Sequence, residues 1–117
     1  MEELNNKPEI GLDPENWEDM RALGHRMIDD MVDYLQHIGE RPVWTPLPEK
    51  VKASFESSIP QQPTPVDEIY EEFKQNILPF HGGNIHPKYS SWVQGTGTAM
   101  GAFADLLAGA MNSGLSS

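Results

Sequence analysis

The stretch HPKYSSWVQGTGTAMGAFADLL (residues 86–107) decides the fold predicted for this chain. Its aromatic and β-branched beginning (Tyr89, Trp92, Val93) enters a Gly/Thr loop, which leads into a segment with one apolar face at helical spacing. The apolar positions of that face are Met100, Phe103, Leu106, Leu107, Ala110 and Met111. An extended piece, a loop rich in backbone N–H groups and a helix start together make a corner suited to facing a ligand.

Two more helices are predicted upstream of this corner. The first begins at Asp13-Pro14, with Asp as N-cap, and its apolar spacing of three and four runs to Gly39. At about 25 residues this helix is roughly 37 Å long. The second begins with Thr64 as N-cap and Pro65 at the first helical position, and it stops at Pro79. Its apolar face consists of Ile69, Tyr70, Phe73 and Ile77.

Between these helices, residues 39–65 contain six prolines, too many for a regular helix or a central strand. A short helical turn around Glu49–Phe55 is the exception. The large apolar residues of this connector are its expected anchors: Val43, Trp44, Leu47, Phe55 and Ile59. The predicted fold is therefore mainly α: a flexible arm over 1–12, then a segment over 13–117 with a long helix, a Pro-rich connector, and two further helices with a short extended stretch.

The apolar stripe of the first helix is longer than any later helix of this chain that could cover it. It consists of Trp17, Met20, Leu23, Met27, Ile28, Met31, Leu35 and Ile38. A contact with a partner chain is one explanation, and its methionines suit an adaptable contact surface. Shorter helices placed side by side along the stripe are the alternative.

Composition excludes several classes of function. The chain has 117 residues and a formal net charge of -10, which disfavours nucleic acid and anionic membranes as partners. It contains no cysteine, so disulfides, thiolate zinc sites and a cysteine nucleophile are excluded. No apolar run approaches the roughly 20 residues that span a bilayer. Together with the acidic, polar N-terminus, this predicts a cytoplasmic location.

Local motifs give only weak candidates for chemistry. The loop over 95–101 suggests a phosphate cradle, but no Gly-Lys-Ser/Thr follows, and its glycine spacing departs from the dinucleotide fingerprint. A tight turn with Thr98 as N-cap is the simpler interpretation. His81 and His86 share a loop without a nearby carboxylate pair, which disfavours a metal site. No nucleophile–base pair can be named from spacing alone.

A set of short motifs, in order along nearly all of residues 13–117, resembles one enzyme family. The set comprises DPENW (13–17), GHRMIDDMVDYL (24–35), RPV (41–43), ILP (77–79), HPKY (86–89), GTGT (95–98), ADLLA (104–108) and MN (111–112). It is similar to the start of the pyridoxal-phosphate-dependent group II amino-acid decarboxylases, which act on aromatic amino acids, histidine or glutamate.

The resemblance implies the N-terminal segment of a homodimeric enzyme of the aspartate-aminotransferase fold, with helices that cross the neighbouring subunit. It implies that Trp92, Val93 and Gln94 line the pocket of an amino-acid substrate beside pyridoxal 5'-phosphate. His86, Thr96 and Thr98 are weaker candidates next to the cofactor or substrate. Relatives with aromatic substrates often have Pro and Thr where this chain has Gln94 and Gly95, which puts an aromatic substrate in question.

The resemblance also implies that the catalytic groups lie elsewhere. In the family, the lysine that binds the cofactor covalently follows a histidine directly, and none of the five lysines here does. We therefore expect no catalytic residue within these 117 residues and expect a truncated chain or a separate piece of a split enzyme. A small self-associating helical protein without catalysis is the main alternative, and a dinucleotide-binding fragment is a third.

Overall fold

The computed structural model describes residues 11–114, and this part of the chain is helical without β-strands. The element order is α1 (Trp17–Gln36), a 3₁₀ turn (Ile38–Glu40), α2 (Glu49–Ser54), α3 (Val66–Asn76), a second 3₁₀ turn (Leu78–Phe80) and α4 (Ala99–Met111). The helical prediction is confirmed. The short extended stretch around 89–93 forms no paired strand.

Helix α1 is shorter than its sequence pattern predicts. The predicted N-cap Asp13 is wrong: Asn16 is the cap, and its side-chain oxygen accepts hydrogen bonds from the backbone N–H groups of Glu18 at 2.9 Å and Asp19 at 3.3 Å. At the other end, the backbone N–H and Nδ1 of His37 both contact the carbonyl of Asp33. This cap ends the helix at 20 residues, about 30 Å.

Helix α3 and the short helix α2 lie close to their predicted positions. The predicted turn around Glu49–Phe55 is confirmed by α2. The predicted N-cap of α3, Thr64, is off by one residue, because Pro65 has extended ψ (135°) and itself occupies the cap position. The helix ends at Asn76, and Pro79 lies in the 3₁₀ turn that follows.

Helix α4 begins where the Gly/Thr loop predicts. Thr98 Oγ1 accepts a hydrogen bond of 2.9 Å from the backbone N–H of Gly101, so Thr98 is the N-cap. Asn112, in the left-handed region at φ 40°, ends the helix. The simpler interpretation of this loop is therefore confirmed.

The core of the described residues is small and lies between α1 and α3. Leu23 of α1 is 5% exposed and Tyr70 of α3 is 4% exposed. Around them, an apolar groove of about 330 Å³ is lined by Met20, Leu23, Met27, Val66, Ile69, Tyr70 and Phe73. The third buried apolar residue, Tyr34, lies near the end of α1 and contacts a loop.

Most other large apolar side chains have no cover within the chain. Of the five predicted connector anchors, Trp44, Leu47, Phe55 and Ile59 are exposed and only Val43 is half-buried. Those four predictions are wrong for the chain alone, because these side chains are 45% to 82% exposed. Every residue of α4 is exposed as well.

The overall dimensions agree with this lack of cover. The accessible surface is 10700 Å², whereas a folded monomer of this mass has about 6400 Å². The radius of gyration is 19.3 Å, whereas a compact domain of this length has about 13 Å. The chain is therefore far less compact than a folded monomer of its size.

Two predictions concern the ends of the chain and membranes. The predicted arm over 1–12 lies outside the described residues except for Gly11 and Leu12, which are exposed. None of the helices within residues 11–114 combines the length and apolar character needed to cross a bilayer.

Candidate functional site

The loop between the second 3₁₀ turn and α4 carries most of the predicted site residues. It runs from His81 to Thr98 and is tied at its beginning to the end of α1 and to residues 41–43 of the connector. Its second half, which contains Trp92, is exposed. The loop thus has a fixed half and a half that faces outward.

Tyr34 and His81 form the first tie. His81 Nδ1 accepts a 3.1 Å hydrogen bond from the backbone N–H of Gly83, so the ring proton is on Nε2, which donates to the Tyr34 hydroxyl. The two rings meet edge to face, with 5.9 Å between centroids. The guanidinium of Arg41 lies 4.8 Å from the centre of the Tyr34 ring. Burial raises the pKa of Tyr34, and the nearby charge of Arg41 partly opposes this.

His86 forms the second tie and is 5% exposed. Its Nδ1 accepts a 3.0 Å hydrogen bond from the backbone N–H of Lys88. Its Nε2 therefore carries the proton and donates to the backbone carbonyl of Arg41 at 2.8 Å. Both ring nitrogens are engaged by the protein itself, so His86 joins the loop to the connector.

Gly83 is the third fixed point of the loop. Its φ of +76° lies in the left-handed region, and a Cβ at this position would overlap the backbone carbonyl oxygen of Val43. Its carbonyl accepts a 3.0 Å hydrogen bond from the N–H of His86. Glycine is therefore required here both by backbone conformation and by the close approach of the connector.

The predicted substrate-pocket residues lie on the outward-facing half. Trp92 is 82% exposed and Val93 is fully exposed, and Gln94 is exposed beside them. Just after them, the side-chain amide of Asn84 donates a 3.0 Å hydrogen bond to the carbonyl of Gly95. The exposed side chains of Trp92, Val93 and Gln94 are called the wall Trp92–Gln94 below. They are available for contact with a ligand or another domain.

A groove beside this wall brings together two of the weaker candidates. It has a volume of about 610 Å³ and is lined by Leu35, Ile38, Ile85, Thr96, Gly97, Thr98, Ala99, Gly101, Ala102 and Asp105. Thr96 and Thr98 therefore share one surface. His86 and the wall residues are not among its lining, so the structure does not gather all six candidates at one point.

A polar cluster between α1 and α3 was not anticipated from the sequence. The hydroxyl of Tyr70 donates a 2.5 Å hydrogen bond to Asp30, whose carboxylate also lies 3.4 Å from the ammonium of Lys74. The hydrogen bond from Tyr70, followed by the charge of Lys74, lowers the pKa of Asp30. Asp30 and Tyr70 are 40 residues apart, so no local spacing signals this pair. The cluster joins the two helices, and Asp30 and Lys74 line one groove with Tyr34 and Arg41.

We predict that Tyr70 ionises unusually late. Burial first, and the hydrogen bond and charge of Asp30 second, raise its pKa from 10.0 to about 12. The folded state therefore holds this proton more tightly than the unfolded state. The resulting stabilisation is complete below pH 10 and is lost as the pH rises towards 12.

Absorbance at 295 nm measures this ionisation. The titration of the wild-type protein minus that of Tyr70→Phe should show one phenol with a midpoint near 12, and Asp30→Asn should lower that midpoint. A difference curve centred near 10 would show that Asp30 and burial do not act on Tyr70 as described.

Metal-ligating groups do not converge in the described part of the chain. No three His, Asp or Glu side chains among residues 11–114 come together in a group that could hold a metal ion. His81 and His86 each use their ring nitrogens in the contacts given above.

Comparison with known proteins confirms the resemblance derived from the motifs. No protein-family model matches the chain. It is 30% identical over 105 residues to tryptophan decarboxylase 2 of Oryza sativa subsp. japonica, covering 86% of this chain and 20% of the relative. It is 30% identical over 110 residues to histidine decarboxylase of Rattus norvegicus, covering 86% of this chain and 16% of the relative.

A solved structure shares the fold. The crystal structure of Oryza sativa TDC with PLP superposes with a TM-score of 0.69 and 25% identity, over 87% of this chain and 22% of that one. The matched region is its N-terminal part. The chain thus spans about a fifth of the length of the relatives that it matches.

Proposed function

We propose that this chain is the N-terminal segment of a pyridoxal-phosphate-dependent amino-acid decarboxylase and contributes helices that clasp the neighbouring subunit and one wall of the substrate pocket. The single observation that carries the proposal is the agreement of sequence and fold. Relatives named as decarboxylases and the structure of Oryza sativa TDC with PLP each match more than four-fifths of this chain.

The exposed apolar surfaces support the clasping role. Helix α4 presents Met100, Leu106, Leu107 and Met111 to the exterior, and the connector presents Trp44, Phe55 and Ile59. Exposed apolar surface of this extent is typical of an interface with other protein. We propose that the rest of the enzyme and a second copy of it cover these faces, in a homodimer.

Trp92–Gln94 is the part of the segment proposed to contact substrate. The indole of Trp92 offers a large apolar face to the substrate side chain, and the amide of Gln94 can both donate and accept a hydrogen bond. Both residues are exposed in the chain, so neither is committed to internal packing. Many relatives with aromatic substrates have Pro-Thr where this chain has Gln94-Gly95. The amino acids tested below therefore include non-aromatic ones.

The three weaker candidates divide into two roles. His86 uses both ring nitrogens on Arg41 and Lys88, so we assign it a structural tie beneath the pocket and no hydrogen bond to a ligand. Thr98 caps α4 through its oxygen but keeps its hydroxyl proton free to donate outward. Thr96 lines the neighbouring groove, and we keep it as a residue next to substrate or cofactor.

Pyridoxal 5'-phosphate is the cofactor proposed for the complete enzyme, where it would stabilise the negative charge left at the α-carbon when carbon dioxide departs. The described residues do not provide its anchor. Lys74 on α3 lies 2.9 Å from Glu71 and 3.4 Å from Asp30, and no lysine of the chain follows a histidine. We therefore propose that the anchor lies outside this segment, as the family resemblance implies. The cysteine-free composition fits our proposal of a cytoplasmic enzyme.

The decisive experiment uses the complete protein that contains this segment. Purified with pyridoxal phosphate, it should release carbon dioxide from at least one of L-tryptophan, L-tyrosine, L-histidine and L-glutamate, and it should sediment as a dimer. Absence of carbon dioxide release from the whole panel by cofactor-loaded protein would contradict the proposed function.

A helical, self-associating protein without catalysis is the second candidate function, favoured by the exposed faces of α4 and the connector. The reading frame beyond Ser117 separates the two candidates. A downstream α/β domain with a His-Lys dipeptide supports the enzyme, and its absence supports the non-catalytic protein.

A further inference from the structure

We infer that Asn84 is a positioning residue that fixes the substrate-facing wall Trp92–Gln94 through its hydrogen bond to Gly95. The inference rests on the proposed function, because it assigns the wall a substrate. Nothing in the local sequence marks Asn84, which lies within an irregular Gly/Asn-rich loop. Its importance arises from a contact across 11 residues.

Within the described residues, no other hydrogen bond holds the wall. Tyr89 is held by a 3.0 Å backbone hydrogen bond from its N–H to the carbonyl of His86, and the next backbone bond joins Ala102 to Thr98. Between these two points, within the described chain, the bond from the Asn84 amide to the Gly95 carbonyl is the one hydrogen bond to the segment 90–97. The wall side chains are themselves exposed and have no packing to hold them.

Asn84 is itself well anchored. It lies between Gly83, which packs against the carbonyl of Val43, and the buried His86. The backbone N–H of His86 bonds to the carbonyl of Gly83 and closes a turn around Asn84. His86 Nε2 then ties this turn to Arg41 of the connector. An amide held in this way can transmit a fixed position to Gly95.

Loss of the hydrogen bond from Asn84 should affect substrate binding more than the chemical step. The bond from Asn84 holds the carbonyl of Gly95, the residue that follows Gln94, so its loss frees the C-terminal end of the wall. A wall that must be ordered when substrate binds weakens binding, because that ordering entropy opposes association. The anchor for the cofactor lies outside the segment, so cofactor content should not depend on Asn84.

Asn84→Asp in the complete enzyme tests this directly. The two side chains have the same shape, but an ionised aspartate cannot donate and would repel the Gly95 carbonyl. We expect KM for the best substrate of the amino-acid panel to rise by about tenfold, with kcat within about threefold of wild type. Asn84→Ala should act in the same direction. Cofactor content and the midpoint of thermal unfolding should match the wild type.

Gln61→Glu is the matched control. The Gln61 amide donates to the backbone carbonyl of Ile59 at 3.2 Å, a comparable bond in the connector. Its replacement removes an amide donor and adds a charge of the same sign, so KM should stay within about twofold if the effect at Asn84 depends on position.

A second measurement does not require catalysis. Chymotryptic cleavage after Trp92 should become several times faster in Asn84→Asp and stay unchanged in Gln61→Glu, because only the first frees the wall. An unchanged cleavage rate overturns the inference, as does a rise in KM accompanied by equally large losses of cofactor content and thermal stability. If the wild type releases no carbon dioxide, the proposed function fails, and the cleavage rate still decides the role of Asn84.

Discussion

Gly83→Ala is expected to destabilise the fixed half of the loop by about 4 kcal/mol. Two costs combine at this position. A left-handed backbone costs an alanine about 1–2 kcal/mol, and the new Cβ overlaps the backbone carbonyl oxygen of Val43, which cannot rotate away as a side chain would. Moving the Val43 carbonyl would also disturb the carbonyl of Arg41 two residues earlier, to which His86 donates. The added methyl group should therefore disturb two of the three contacts that fix the loop, those of Gly83 with Val43 and of His86 with Arg41.

The neighbouring glycine supplies a matched control. A Cβ on Gly82 meets nothing within 4 Å, and its φ is not in the left-handed region. Gly82→Ala should therefore leave stability within about 0.5 kcal/mol. Thermal unfolding of the complete protein and limited proteolysis within residues 81–89 measure both variants. Equal behaviour of the two would show that the approach of Val43 to Gly83 is not part of the native structure.

Trp92→Ala is expected to lower kcat/KM of the complete enzyme by about 100-fold while leaving cofactor content unchanged. The indole of Trp92 is 82% exposed in the chain, so its contacts are available to a substrate. Covering a large aromatic side chain stabilises a complex by about 2–3 kcal/mol, which corresponds to this factor. The cofactor anchor is proposed to lie outside the segment and should not respond.

Trp44→Ala controls for the loss of an indole as such. Trp44 is also exposed, but it lies in the connector and outside the proposed wall. Its replacement should keep kcat/KM, expressed per bound cofactor, within about threefold of the wild type. If Trp92→Ala lowers cofactor content and turnover in equal proportion, Trp92 is not a substrate-contacting residue.

The local elements of the fold were predictable because their signals are local. Thr98 caps α4 as its position before an apolar helical repeat indicates, and the short helix at Glu49–Ser54 falls where prolines leave room for one. The errors are also local. Asn16, and not Asp13, caps α1, because a cap depends on which side chain reaches the free N–H groups, and two candidates stand three residues apart.

The candidate site was only partly predictable. The wall Trp92–Gln94 came from a motif resemblance, and it remains a proposal that exposure supports. His86 was expected near a ligand, whereas the structure engages both of its nitrogens with backbone groups. Asn84 carried no signal at all, since an amide donor becomes informative only when the acceptor beside it is known.

The sequence by itself determined the helices, their approximate ends, the surplus of apolar surface and the decarboxylase resemblance. The helices and their ends depend on residues within a few positions of one another, where backbone preference and side-chain spacing act directly. The resemblance depends on short motifs that occur in order along the chain. The tertiary structure alone decided which glycine is indispensable, which histidine is buried and which tyrosine bonds to Asp30. Those contacts join residues some 40 positions apart across a proline-rich connector, so they depend on the path of the whole chain and not on any local pattern.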